Sequence, residues 1–134
     1  MKTQNLFLLT AALGIFPVAM SYGLFPQLFF GIETNSIEIT NILRAIMGLY
    51  TAMGIYWLLA AFKPQLTLSA LYSVVVFMGG LALARVISIN LDGMPNMILL
   101  GYTAIELVIG ATAYGLIKAN YSEADAQNQR LGEA

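Results

Sequence analysis

Four long stretches of apolar residues dominate the chain, each bounded by a short polar break. A helix needs about 20 mainly apolar residues to cross a hydrocarbon core roughly 30 Å thick. Stretches at about residues 5–25, 41–62, 68–89 and 96–117 reach that length. The breaks carry helix punctuation. Lys63-Pro64 ends the second stretch and Asp92-Gly93-Met94-Pro95 reads as a tight turn. Asn35-Ser36-Ile37-Glu38 has capping-box spacing ahead of the second stretch. Pro17 interrupts the first, where it is predicted to kink the helix rather than end it, because neighbouring helices can satisfy the freed carbonyl. The pattern predicts an all-α fold: a four-helix transmembrane bundle, antiparallel and up-down, formed as one unit over residues 1–118. The remainder, 119–134, is polar. It is expected to form a cytoplasmic tail that is mobile or weakly helical from Ser122 onward.

Composition supports the membrane reading. Hydrophobic residues are 59% of the 134 and charged ones 10%, against roughly 25% charged in soluble domains. Lys2, Lys63, Lys118 and Arg130 fall at one side of the four spans, whereas the loops at 26–40 and 90–95 carry Glu33, Glu38 and Asp92 and no basic residue. Cytoplasmic flanks are enriched in Lys and Arg, so both termini are expected to be cytoplasmic. Tyr56, Trp57, Tyr72, Tyr114 and Tyr121 are expected to anchor a belt near that inner boundary. Residues 1–21 also carry signal-peptide features, with Lys2, an apolar core and Ala19-Met20-Ser21. The apolar run continues through Phe25, Leu28, Phe29 and Phe30, longer than a signal core, which favours an uncleaved first span.

Several chemistries are excluded. The sequence has no cysteine and no histidine, which removes thiol redox, histidine-ligated haem and the common zinc sites. No cofactor is expected. Basic residues never run together, so nucleic acid is not an expected partner. No phosphate-cradling loop or nucleophile elbow is present. Gly48, Thr51, Gly54, Gly79, Gly80, Ala84, Gly101, Gly110 and Ala113 read as positions where helix backbones approach closely. Met47, Met53, Met78 and Met97 read as gap-fillers.

Three charges remain inside the spans: Arg44, Arg85 and Glu106. An ionisable group at that depth is costly and is a functional candidate by default. At 1.5 Å per residue, Arg44 and Arg85 lie about 3–8 Å below the outer boundary and Glu106 about 15 Å deep. Helical side chains lean toward their own N-terminus. Arg85 therefore leans inward and Glu106 leans up toward it, while Arg44 leans out toward Asp92 or Glu38. The expected site is a buried Arg85–Glu106 pair roofed by Arg44 and Asp92, with Tyr102 and Thr103 one turn above Glu106. Such a pair either fixes register between helices or floors a polar pocket open to the outer face. An unpaired Glu106 would instead be a candidate proton carrier.

The stretches "LRAIMGLYTAMGIYWLLAAFKP" (43–64), "VVVFMGGLALARVISINLDG" (74–93) and "IELVIG" (105–110) together resemble a family of small bacterial four-span membrane proteins catalogued as domain of unknown function 4345. The resemblance covers about residues 40–118 and implies a four-helix integral membrane fold in a bacterial inner membrane. It implies no reaction. It places Arg44, Arg85, Asp92 and Glu106 inside the shared motifs.

The function expected first is non-enzymatic: either a small or lipid-like ligand is bound in the outer half of the bundle, or the protein packs as an accessory subunit in a larger membrane complex or homo-oligomer. The second is a small solute or proton-coupled transporter using Glu106. The third is a membrane enzyme with Glu106 or Asp92 as general acid or base.

Overall fold

A computed structural model describes the backbone of residues 1–132 and side chains through Ser122. Within those residues the chain is all helical: α1 (Thr3–Gly23), a short α2 (Pro26–Phe30), α3 (Ile37–Phe62), α4 (Pro64–Asp92) and α5 (Met97–Gly132). Four of the five, all but α2, are long and apolar enough to cross a membrane. They alternate in direction. The end bearing Lys2, Lys63 and Lys118 is called the basic end below, and the end bearing Glu33, Glu38 and Asp92 the acidic end.

Local chemistry sets the helix limits. Ser36 caps α3, its hydroxyl accepting from the Glu38 and Ile39 amides at 3.1 and 3.3 Å. The cap is therefore Ser36, one residue beyond the Asn35–Glu38 box, and the helix begins before residue 41. Lys63 alone separates α3 from α4, with Pro64 in the first turn of the latter, where its missing N–H costs nothing. Gly93 closes α4 at φ 100° and ψ −176°, a backbone region open essentially to glycine alone. Asn96 then opens α5, its Oδ1 accepting from the Leu99 amide at 2.9 Å. Helix α1 continues through Pro17.

One element was not expected, and the tail takes the helical one of its two expected forms. The loop expected at 26–40 contains α2, bracketed by Pro26 at its start and by Gly31 in the left-handed region at its end. The tail expected to be mobile or weakly helical continues α5 to Gly132. "EADAQNQR" is rich in good helix formers and holds no Gly or Pro, so nothing there breaks the helix. Arg130 lies among the residues whose side chains are not described, and residues 133–134 lie outside the described residues altogether.

Packing joins α1 to α3 and α4 to α5 as two close pairs, and the pairs meet less intimately. Small residues make the first pair close. A Cβ at Gly54 of α3 would stand 2.7 Å from Ile15 Cγ2 and 3.1 Å from the Phe16 ring. Between α4 and α5, Gly110 faces Met78 Cβ at a looser 3.6 Å. The backbone N of Gly79 also lies 3.8 Å from a Cβ built at Gly110, so α4 and α5 approach there, whereas Gly48, Gly80 and Gly101 have nothing within 4 Å of a built Cβ and are not close-packing points among the described residues. The core runs along the axis through Leu8, Ile15, Tyr50, Trp57, Leu71 and Val74. Trp57 belongs here, fully buried and donating to Ser73 Oγ at 2.9 Å, not in an interfacial belt. Tyr72 and Tyr121, which are exposed and hydrogen-bonded to each other at 2.9 Å, do stand at the bundle's surface. Large apolar side chains such as Leu13, Leu49, Val76, Leu83 and Val108 face outward, as a lipid-solvated exterior requires.

Gly54→Ala is expected to destabilise the bundle by about 1–3 kcal/mol through overpacking against α1. Gly110→Ala meets only ordinary contact and gains helix propensity, so its midpoint should hold or rise. Thermal unfolding of both variants in detergent micelles checks the pair.

Candidate functional site

Glu106 lies nine residues into α5, about 14 Å along the helix, and is 5% exposed. An isolated carboxylate there would lack both water and a counter-charge, a cost of several kcal/mol. Arg85 meets it from α4. Its Nε donates to Oε2 at 2.9 Å and is shared with Oε1 at 3.2 Å. The contact follows from helix phase. Buried positions on α4 run Ala70, Leu71, Val74, Met78 and Ala82, and the next step on that face is Arg85. On α5, Thr103, Glu106, Ala113 and Ile117 form the matching inward stripe.

Arg85 Nη2 also donates to the hydroxyl of Tyr22 at the acidic end of α1. Thus α1, α4 and α5 are tied at one level. Tyr22 stacks at a tilt on Phe30 of α2 (centroids 4.8 Å apart) and lies near Tyr50 (5.5 Å) and Tyr102 (6.3 Å). Phe30 meets Tyr102 edge-on at 6.1 Å. The ion pair is consequently roofed by aromatic rings, and α2 supplies one of them. Tyr102 Oη donates to Ser21 Oγ at 3.1 Å, and Ser21 in turn donates to the Val18 carbonyl at 2.6 Å.

Below that roof is a cavity of about 310 Å³ lined by α1 (Phe7, Thr10, Gly14, Val18 among others) and α5 (Tyr102, Ile105, Glu106, Ile109), with Tyr50 and Met78 behind. Tyr50 is 3% exposed, and its hydroxyl is buried without a hydrogen-bond partner among the described residues. It stands beside Arg85 and Glu106, within side-chain hydrogen-bonding reach of both though outside good hydrogen-bond geometry. Most buried polar groups are partnered, so this exception needs a physical reason. Cavities of this size with a few convergent polar groups are the usual form of a small-ligand site.

A family model described as "Domain of unknown function (DUF4345)" matches residues 3–117. The chain belongs to this family. No curated protein and no solved structure matches it. The family match takes in all four apolar helices, the first included, and so the whole cavity.

Of the residues expected to form a site, this DUF4345 chain brings together Arg85, Glu106 and Tyr102, the last through the ring of Tyr22. It does not bring Arg44 or Asp92 to them. Arg44 follows Leu43, an inward position, so the helical turn rotates it outward; it lines a surface hollow with Thr34, Asn35 and Thr40. The pairing of Arg44 with Asp92 or Glu38 is absent among the described residues, where Arg85–Glu106 is the one ion pair. Asp92 is exposed at the end of α4 and accepts from Ser88 Oγ at 2.8 Å. Thr103 is buried but bonds back to the Leu99 carbonyl within its own helix. Tyr22, Tyr50, Ser21 and Phe30 escaped the sequence reading. A signal was there: tyrosines inside apolar spans, away from the interfaces, each carry a hydroxyl that must find a partner.

Removing one charge leaves the other buried alone, so Glu106→Ala or Arg85→Met should each cost toward the lower end of roughly 3–5 kcal/mol. The double variant should recover part of that loss. A double-mutant cycle on unfolding midpoints in micelles measures the coupling, and additive losses would deny it.

Proposed function

We propose that this protein is a small non-enzymatic multi-pass membrane protein that holds a lipid-like ligand in the cavity between α1 and α5. The observation that carries the reading is the composition of the cavity wall. It is apolar along Phe7, Ile15, Val18, Met78, Ile105 and Ile109, and the polar residues that line it, Thr10, Tyr50, Tyr102 and Glu106, contribute little of its surface. An apolar chain matches that wall; a small polar solute does not. The Lys and Arg distribution supports a cytoplasmic basic end, and the family resemblance supports a bacterial inner membrane as the protein's place.

The carrier reading has thinner support, because both oxygens of Glu106 are engaged by Arg85 Nε. A role as accessory subunit or homo-oligomer is favoured by Gly80 and Gly101, which are exposed with open space around them. Acid–base work by Glu106 with Asp92 has no geometric support, since Asp92 stands at the helix end and Glu106 about 14 Å inside.

Protein extracted gently from native membranes is expected to release a near-stoichiometric lipid-like species into organic solvent, read by mass spectrometry. Gly14→Leu, which adds a side chain on the cavity rim where a Cβ meets nothing within 4 Å, should reduce that yield several-fold. Wild-type protein that is bare yet as stable as in its membrane would overturn the reading.

The chain has no cysteine, so single replacements report topology directly. Asn35→Cys should react with an impermeant maleimide on intact cells, and Lys63→Cys only after lysis. The reverse pattern would invert the assigned orientation.

A further inference from the structure

Of the three charges that the sequence places inside the spans, Arg44 alone is left outside the buried pair. It stands exposed on α3 and joins no ion pair among the described residues. Its level follows from helix length. Helix α3 has 26 residues and so runs about 39 Å, longer than the roughly 30 Å of hydrocarbon. Counted back from Lys63 at the basic end, ~20 residues cross that core and reach Leu43. Arg44 therefore sits at the hydrocarbon edge. Helical side chains lean toward their own N-terminus, which carries the guanidinium toward the acidic end and into the level of lipid head groups.

The turn that this side chain leans over is Thr40–Asn41, which lies on the same face of α3. With Thr34, Asn35 and Ser36 from the segment ahead of the helix, these residues and Arg44 line a hollow of about 340 Å³. Thr40 turns its hydroxyl back to the Ser36 carbonyl at 3.0 Å. The donors left to the hollow are the guanidinium, the Asn41 amide and the Thr34 hydroxyl. Two carboxylates stand just beyond. Asn35 Nδ2 donates to Glu33 at 2.7 Å and Ser36 Oγ donates to Glu38. Asn35 and Ser36 both line the hollow, so each carboxylate is one hydrogen bond away from it.

We infer that the Arg44 hollow holds the head of a zwitterionic phospholipid from the leaflet at the acidic end, its phosphate on the Arg44 guanidinium and its ammonium turned toward Glu33 and Glu38. The site shares no residue with the α1–α5 cavity and goes beyond the reading given for it.

Three features select this ligand. The planar fork of arginine matches phosphate oxygens in pairs, and the neutral donors beside it suit the oxygens that remain. The local charge is one cation against two carboxylates, so a phosphate without a cation of its own would add to an excess of negative charge. A zwitterion does not, and it places its ammonium outward of its phosphate, on the side where the carboxylates lie. The third feature is room for the chain. Gly48, one turn deeper than Arg44 on the same face, is exposed with nothing within 4 Å of a built Cβ, which leaves a path into the hydrocarbon directly below the phosphate.

The test titrates the full chain in detergent micelles with palmitoyl-oleoyl phosphatidylethanolamine, the matching phosphatidylglycerol and the matching diacylglycerol, and reads bound lipid by native mass spectrometry. Wild-type protein should retain one phosphatidylethanolamine at least several-fold better than either of the others. Arg44→Gln should weaken that binding roughly three- to tenfold, between the worth of a surface ion pair and of a desolvated one. Asn41→Leu, which keeps the arginine, should weaken it about twofold or more, the worth of one hydrogen bond. Both positions are exposed, and circular dichroism should show unchanged helix content. Lys63→Gln, at the opposite end, should bind as wild type does. Soluble glycerophosphoethanolamine at the lipid's concentration should not compete.

Unchanged binding in Arg44→Gln would overturn the site. Phosphatidylglycerol held as well as phosphatidylethanolamine would overturn the zwitterionic head, and displacement by the soluble head group would overturn the membrane as its source. A dimer that Arg44→Gln dissolves, with no loss of lipid, would overturn the lipid in favour of a carboxylate on a second copy.

Discussion

A carboxylate near the middle of an apolar bundle cannot stand alone, and its neutralisation by Arg85 organises the surrounding structure. Glu106 accepts from one guanidinium nitrogen, another reaches Tyr22, and the tyrosine ring carries the arrangement to Phe30 and Tyr50. Three transmembrane helices are thereby held in one register at one depth. In lipid, where apolar helices gain little by preferring one another's surface to that of acyl chains, such a tie specifies more than it stabilises. The close α1–α3 seam at Gly54 and the looser contact at Gly110 then supply packing on either side of it.

The aromatic roof shows how far the protein goes to keep the pair dry. Tyr22, Tyr102 and Phe30 close the acidic end, and the five-residue α2 exists between Pro26 and Gly31 in a position to deliver Phe30. At the opposite end, Asn5 reaches the Ala61 carbonyl at 2.8 Å, and Tyr56 bonds Ser69, so polar groups there are satisfied locally. Among the described residues, the buried hydroxyl left outside good hydrogen-bond geometry is that of Tyr50, which lies beside Arg85 and Glu106.

Span lengths and turns were legible in the sequence because they depend on hydropathy and on Pro and Gly, both local properties. The meeting of Arg85 with Glu106 was legible too, since depth follows from helix rise and direction from side-chain lean. Rotation about each helix axis was not. A span apolar on most sides gives no preference for the face that turns inward, which is why Trp57 reads as a belt residue but lies in the core, and why Arg44 reads as a roof but lies outside. Tyr22 and Tyr50 escaped for a related reason: their value to the site comes from neighbours on other helices, which spacing along one helix does not reveal. Helix α2 could have been found from its Pro and Gly brackets, but an apolar run next to a span looks like more span.

The two walls of the cavity come from opposite ends of the chain, α1 and α5, while α3 and α4 turn back on each other across the single residue Lys63. Synthesis therefore delivers α1 well before α5, and no intermediate lacking α5 contains the cavity. Any molecule seated there records that all four spans have been inserted and closed around it.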